Sequence, residues 1–339
     1  MIKYLLPENG TFYKANLHCH TTYSDGRGTP EEVKETYKQA GYSIIAFTDH
    51  DILISHNDLK DDDFLPLNGF EFAVGEFNKP WALTKCCHLC LIALDENNLI
   101  QPAWHRTEYL YGNNKNYRHL VKFDENEPDY LRAYNADCVN DVIRRGKEHG
   151  FFVTYNHPVW SLENYEQYSK YEGMDAIEII NTGCLVEGYL EHNNAAYDDL
   201  LRQGKPLYCI AADDNHQQCP TTDPKCDRFG GYTMIKAPEL TYPAIASALQ
   251  HGEFYASEGP EIKTLWYDTD AKELHITTSP ATRIICTSQA RRTRMADLSM
   301  QGKTVDEAVF KLDELDGYAR ITVVDEHGKC AYTNAFRDI

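Results

Sequence analysis

Short apolar runs alternate with amphipathic stretches along most of the chain. The apolar runs have the length and composition of strands and lie at residues 12–20, 43–47, 65–72, 86–94, 151–155, 176–180, 207–211 and 232–235. Helical patterns separate several of them, at residues 29–41, 130–149, 193–203 and 240–252. This alternation predicts an α/β domain with a largely parallel sheet.

The pattern changes in two places. Beyond residue 259, residues 262–267, 273–278, 282–286 and 319–324 resemble strands with no helix between them, which predicts a small β-rich C-terminal domain (260–339) after a larger domain (1–259). Residues 95–129 are rich in Asn, Tyr and Trp and have weak periodicity. We interpret them as a lid-like insertion or, alternatively, a local excursion of the chain.

Composition narrows the class of protein. Hydrophobic residues make up 42% and charged residues 25%, as in a packed globular protein. Acidic residues outnumber basic ones 52 to 33, and the resulting net charge of −19 argues against duplex nucleic acid as a partner. No apolar run predicts a signal peptide or a membrane span, and the 11 irregularly spaced cysteines suggest reduced, buried thiols. We therefore expect a cytoplasmic protein acting on a small molecule, with its oligomeric state left open.

Candidate metal ligands cluster at predicted strand ends. His18 and His20 end the first strand and, by alternation, point to the same side. Asp25 follows, and further candidates occur at or just after later strands. Because catalytic groups gather at the C-terminal ends of parallel strands, the whole set is expected to converge. The set is His18, His20, Asp25, His50, Glu71, His88, His157, Asp214 and His216.

Nine candidates are too many for one tetrahedral ion. They predict two or three divalent transition-metal ions, and imidazole with carboxylate suits zinc, manganese or iron equally. The sequence leaves the choice among these metals open.

Four motifs give the site a family resemblance. HCH with SDG, TDHD, NHP and DDNH occur in this order between residues 16 and 216, and the chain thereby resembles the PHP family, named for polymerase and histidinol phosphatase domains. The resemblance implies a distorted, TIM-like barrel of seven βα strands, a trinuclear metal centre and hydrolysis of phosphoesters. Asp213 departs from the usual fourth motif, and its role stays open.

The resemblance also implies a division of the ligands. One ion would be held by His18, His20, Glu71 and Asp214. A second would share Glu71 and add His88 and His157, and a third would use Asp25, His50 and His216. Residues 240–260 loosely resemble a PHP subgroup related to carbaryl hydrolase, whose members cleave other esters.

These features predict a hydrolase of a small-molecule phosphomonoester that uses a metal-activated hydroxide, since a phosphate dianion can bridge several cations. Asp49 and His216 are candidate proton donors. Arg27 and Arg228 are candidate substrate-binding residues. Asp51 and Glu178 either orient ligand imidazoles or serve as a helix cap and an interior carboxylate.

Two alternatives stay open. The same cluster could hydrolyse carboxylic esters or carbamates. The chain could also be a non-catalytic binding module that keeps metal only for stability.

Overall fold

The computed structural model describes residues 1–76, 78–297, 304–312 and 317–337. Strands β1 to β17 within these ranges are Ile2–Tyr4, Thr11–Asn16, Ile44–Phe47, Leu65–Gly75, Cys86–Ala93, Phe151–Asn156, Ala176–Asn181, Tyr208–Ala212, Tyr232–Ala237, Phe254–Ser257, Ile262–Asp268, Glu273–Ala281, Arg283–Ser288, Arg294–Asp297, Val305–Lys311, Ala319–Val324 and Cys330–Thr333. Helices α1 to α7 are Pro30–Gln39, Asn114–Tyr117, Ala136–Glu148, Tyr165–Tyr168, Thr182–Glu187, Asn194–Arg202 and Tyr242–His251.

Helix boundaries follow their capping residues. Thr29 and Glu32 form a capping box that starts α1, with Pro30 in the first turn. The helix predicted at 130–149 begins later, because the Asn135 side chain caps the amide of Cys138. Gly150, with φ of 78°, follows the end of this helix.

One large sheet of 13 strands contains β2 to β10 together with β13, β14, β16 and β17. Its order is β14-β13-β16-β17-β10-β9-β2-β3-β4-β5-β6-β7-β8. Strands β2, β3 and β4 are parallel, as are β6, β7 and β8, but β5 is antiparallel to both of its neighbours. The prediction of a largely parallel sheet is therefore wrong at β5, because the short link between β4 and β5 can form a hairpin but not a parallel crossover.

The predicted seven-stranded barrel is not confirmed. Strand pairing among the described residues gives this mixed sheet and no closed barrel. Strands β8 and β9 meet through a side chain instead of a backbone ladder: the Thr233 hydroxyl accepts a hydrogen bond from the Ala211 amide (3.2 Å) and donates one to the Ala211 carbonyl (2.9 Å).

The β-rich C-terminal part is confirmed and is joined to the large sheet. Strand β10 pairs with β9 on one side and with β17 on the other. A separate four-stranded sheet has the order β1-β11-β12-β15, so the first strand of the chain pairs with a strand from beyond residue 260. The division at residue 260 stays a prediction. An apolar core, including Leu265, Ile284 and Ile321, lies within the C-terminal part.

The segment predicted as a lid packs beside the strand ends. Trp104 and Val121 pack on Ile52 in a small apolar cluster. The Asn114 side chain donates to the His50 carbonyl (3.0 Å), and the Asn113 amide donates to the Ser24 carbonyl (2.6 Å). These contacts place the segment against two loops that carry candidate ligands, while its role as a lid stays a prediction.

No helix in the described part of the chain combines the length and apolar character needed to cross a bilayer. All 11 cysteines lie in the described ranges and are free thiols.

Candidate metal centre

The structure brings all nine candidate ligands together. Glu71 lies in β4 and His88 in β5, and the others lie on loops that directly follow β2, β3, β6 and β8. They fall into groups whose ligand atoms lie within 4.8 Å of one another: His20, Asp25, His50 and His216; His18, His20 and Asp214; and Glu71, His88 and His157.

Glu71 is the centre of the cluster. Its carboxylate is buried and faces five imidazoles, because β4 lies between the strands that carry or precede them. The distances from its oxygens are 3.0 Å to Nδ1 of His88, 3.0 Å to Nδ1 of His50, 3.2 Å to Nε2 of His157, 3.3 Å to Nε2 of His18 and 3.4 Å to Nε2 of His20.

Asp214 is a second shared carboxylate. Its Oδ1 lies 3.2 Å from Nε2 of His18 and 3.1 Å from Nε2 of His20, and its Oδ2 lies 3.8 Å from Nε2 of His157. Asp214 has a positive φ of 50°, and its amide donates to the His18 carbonyl (3.0 Å). This turn brings the loop after β8 against the loop after β2.

Asp25 forms the solvent side of the cluster. Its carboxylate lies 3.4 Å from Nε2 of His216, 3.5 Å from Nε2 of His50 and 3.6 Å from Nδ1 of His20. The Asp25 side chain is 38% exposed and that of His216 is 25% exposed, whereas Glu71 is 1% exposed. The cluster is therefore most open to solvent at Asp25 and His216.

The charges of the cluster oppose the effect of burial. Burial alone would lower the pKa of His88 and His157, but the Glu71 carboxylate raises each to about 9. Burial alone would raise the pKa of Glu71, but the imidazoles of His88, His18 and His50 lower it well below its usual range. The arrangement thus favours ionised carboxylates surrounded by positive charge.

The residues present fit divalent cations. Nε2 of His18 and Nε2 of His20 lie 3.1 Å apart, a spacing at which one ion could bind both nitrogens. Nδ1 of His50 and Oδ1 of Asp214 are buried, and their contacts with Glu71 (3.0 Å) and with the imidazoles of His18 and His20 (3.1–3.2 Å) lack hydrogen-bond geometry. Imidazole and carboxylate together suit transition-metal ions.

Glu178 makes the contact expected of an orienting carboxylate. Its Oε1 lies 2.6 Å from Nδ1 of His18, and its Oε2 accepts from the His157 amide at 3.1 Å. Asn181 also donates to this oxygen (2.9 Å). With Nδ1 bound to Glu178, the His18 ring presents Nε2 to the cluster.

The carboxylates of Asp49 and Asp213 accept hydrogen bonds that fix nearby segments of the chain. The Asp49 carboxylate accepts hydrogen bonds from the amides and hydroxyls of Thr21 and Ser24, at 2.6–3.0 Å. Its predicted catalytic role stays a prediction. Asp213 accepts from the Tyr37 hydroxyl (2.8 Å) and from the amides of residues 229–231, and burial raises its pKa to about 6.

The two candidate arginines lie in different settings. The Arg27 amide donates to the His216 carbonyl (2.9 Å), which places this exposed residue at the open side of the cluster. The Arg228 guanidinium donates a hydrogen bond to the Cys219 carbonyl and so links two parts of the loop between β8 and β9. The Arg27 guanidinium likewise donates to a loop carbonyl, that of Gln218 (3.1 Å), and the substrate-binding roles of both arginines stay predictions.

Sequence reasoning missed several residues around the site. Trp160 packs against two ligand imidazoles, and its only sequence signal is its position three residues after His157. Arg132 forms a buried ion pair with Asp51 and lies between the rings of Phe72 and Tyr109, at 3.6 and 3.8 Å from their centroids. This pair gives Asp51 a structural partner far away in sequence.

Comparison with known proteins identifies a family and structural neighbours. The model of the PHP domain family matches residues 16–203. A two-domain protein containing a predicted PHP-like metal-dependent phosphoesterase, from Bacteroides vulgatus, is 16% identical over 98% of both chains, with a TM-score of 0.46. A putative metal-dependent phosphoesterase from Bifidobacterium adolescentis is 14% identical over 63% of this chain and 92% of its own, with a TM-score of 0.40.

A third neighbour is an amidohydrolase from Chromobacterium violaceum whose structure contains sulfate and no metal. It is 15% identical over 62% of this chain and 93% of its own, with a TM-score of 0.37. No curated protein matches the chain in sequence.

Proposed function

This chain belongs to the PHP domain family, and we propose that it is a metal-dependent phosphoesterase that hydrolyses a small-molecule phosphomonoester. The observation that carries the proposal is the pair of buried carboxylates, Glu71 and Asp214, each shared among several imidazoles. A shared carboxylate of this kind suits neighbouring cations, which in turn suit a dianionic phosphate.

Each group of ligands would hold one ion. On the division that the family resemblance implies, the first group is His18, His20, Glu71 and Asp214, the second adds His88 and His157 to Glu71, and the third is Asp25, His50 and His216. The ligand atom of His20 also lies within 4.8 Å of those of the third group. When bound, zinc, manganese or iron ions would supply Lewis acidity and a nucleophile derived from water at neutral pH.

The chain's own residues orient and expose this site. His216 Nδ1 lies 3.0 Å from the Asp214 carbonyl, and a proton shared there leaves Nε2 to face Asp25. This tautomer supports His216 as a ligand more than as a proton donor. The exposed Arg27 lies where it could contact a substrate phosphate from the solvent side.

The test is elemental analysis of the purified protein followed by hydrolysis assays on the same sample. We expect two to three divalent ions per chain and release of nitrophenol from p-nitrophenyl phosphate. Turnover of p-nitrophenyl acetate alone would favour the ester and carbamate alternative. Metal without any turnover would favour a binding module, and protein without metal would contradict the proposal.

Two variants connect metal to turnover. His18→Ala and Asp214→Ala should each lose bound metal and phosphatase activity, since each removes a ligand that contacts two others. Val309→Ala, an exposed position on β15, is the control and should retain both. Full activity in either ligand variant would contradict the assigned role of the cluster.

A further inference from the structure

Two indole rings lie beside the metal centre, and we propose that Trp160 and Trp81 form a subsite for a planar apolar leaving group. The inference rests on the proposed phosphoesterase function and gives it a substrate class: phosphomonoesters of aromatic or arylmethyl alcohols.

Trp160 is close enough to the cluster to contact a bound substrate. Its ring centroid lies 5.1 Å from that of His157 and 5.5 Å from that of His88. Both histidines also face Glu71. A phosphoryl group held at this part of the cluster would therefore have its leaving group within reach of the indole.

Trp160 is held in place from several directions. The amides of Val159 and Trp160 donate to the buried Glu191 carboxylate at 3.1 and 2.9 Å, and the indole Nε1 donates to Glu187 at 3.2 Å. A ring fixed before binding loses little conformational entropy when a ligand packs against it. The loop is thus preorganised as one wall of a binding site.

Trp81 supplies the second, more open ring. It lies on the link between β4 and β5, its side chain is 78% exposed, and its centroid is 6.4 Å from that of Trp160 at an interplanar angle of 69°. The two neighbouring rings form an aromatic surface beside the ligand histidines, and aromatic side chains commonly line ligand-binding sites. Edge-to-face geometry at this spacing is the arrangement that aromatic groups prefer with one another.

Trp104 and Tyr117 near the site are already used in packing, whereas Tyr111 lies against the ligand His50, with centroids 5.1 Å apart. Trp104 is buried against Phe123 and Arg118, and Tyr117 stacks on Tyr23 with centroids 4.4 Å apart. The opposite side of the cluster, by contrast, carries the polar groups of Asp25 and His216. The mouth of the site is therefore apolar on one side and polar on the other, which would orient a substrate with a ring at one end and phosphate at the other.

The experiment compares benzyl phosphate with ethyl phosphate, whose leaving oxygens are both alkoxides. We expect the wild-type protein to have the higher kcat/KM for benzyl phosphate. In Trp160→Ala the ratio of the two kcat/KM values should fall by up to about tenfold, the usual range for one aromatic contact. Trp81→Ala should lower the ratio less, and Trp160→Phe should restore most of it.

Binding gives a readout that does not depend on turnover. Benzylphosphonate and ethylphosphonate are titrated into each metal-loaded variant by calorimetry, and the ratio of their Kd values should change in parallel with the kinetic ratio. Val309→Ala is the control and should change neither ratio. Equal metal content in all variants would show that the tryptophans do not act through the ligands.

The outcomes separate the two proposals. Hydrolysis of both phosphates with equal kcat/KM, or a ratio unchanged in Trp160→Ala, would overturn the aromatic subsite while leaving the phosphoesterase intact. The metal-loaded protein could instead hydrolyse neither phosphate but bind benzylphosphonate preferentially, with Trp160→Ala abolishing the preference. That result would support the subsite and contradict the phosphoesterase.

Discussion

Two buried glutamates in neighbouring regions have opposite properties. Glu71 is 1% exposed and is surrounded by imidazoles, which lower its pKa. Glu163 is 7% exposed and accepts hydrogen bonds from the hydroxyls of Tyr171 (2.5 Å), Tyr155 (2.6 Å) and Tyr134 (2.7 Å). Burial raises the pKa of Glu163, and its three phenol donors offset this only in part.

The comparison indicates that the side chains around a buried carboxylate, more than its burial, determine whether it suits a cation or a structural role. Imidazoles are neutral metal ligands or cations, so a glutamate among them lies where positive charge is favourable. Phenols are neutral donors that satisfy a carboxylate without any ion. We therefore expect metal to depend on Glu71 and the packing of α3 and β6 to depend on Glu163.

The largest effect is expected for Glu71→Gln. Removing the central charge should lower phosphatase activity by more than about 100-fold, because even residues that only orient metal ligands change affinity or activity by about 10–100-fold. Activity and metal content measured on the same sample check this. Glu163→Gln is the matched control, and an equal loss of metal in both variants would break the comparison.

A smaller effect is expected for Glu178→Gln. Glutamine keeps the size of the side chain but weakens the 2.6 Å contact with Nδ1 of His18. Metal affinity should fall by about 10–100-fold, as measured by competition with a chelator. Unchanged affinity would mean that the ring of His18 is oriented by its surroundings without this carboxylate.

Glu163→Gln should affect stability and leave metal unchanged. A glutamine side chain has one oxygen for three phenol donors, and unsatisfied buried donors cost about 1–3 kcal/mol each. We expect urea denaturation of the metal-loaded protein to give a free energy of unfolding lower by about 2 kcal/mol. A loss of bound metal with unchanged stability would reverse the assignment of the two glutamates.

The smallest effect is expected for the pH dependence of the difference in unfolding free energy between the wild-type protein and Glu163→Gln. A carboxyl group whose pKa is raised by folding binds more protons in the native state, so its contribution is fully present below the unfolded pKa and is lost as the pH rises through the folded pKa. The stability gap between wild type and Glu163→Gln should therefore narrow as the pH rises above about 4.5, the usual value for glutamate. Denaturation curves at several pH values measure the gap, and a gap that widens with pH would contradict the raised pKa.

Much of the site was predictable because its ligands obey a local rule. His18 and His20 were predicted at the end of the first strand and lie just after it, since β2 ends at Asn16, and the other ligands lie in or directly after strands whose apolar pattern is clear. Because these strands belong to one sheet, their ends bring the ligands close together. The roles of Asp213 and Asp49 were not predictable, since their partners come from loops and from helix α1, which only the folded chain brings near.

The topology was less predictable than the elements. The apolar run of β5 is equally compatible with a parallel and an antiparallel strand, and its direction follows from the short connection to β4. Strands β1, β10, β14, β15 and β17 are short or mixed in composition and were not predicted. Trp160 and the Glu163 cluster were missed because aromatic residues in loops and interiors are common without a ligand.

The position of β10 has a practical consequence for a shortened protein that contains only the residues before 260. This strand is hydrogen-bonded to β9 on one side and to β17 on the other. A shortened protein ending near residue 259 would keep Phe254–Ser257 but leave one row of its backbone amides and carbonyls open to solvent. Such an edge is a template for pairing between molecules, and the shortened protein should aggregate unless that edge is blocked with charge or proline.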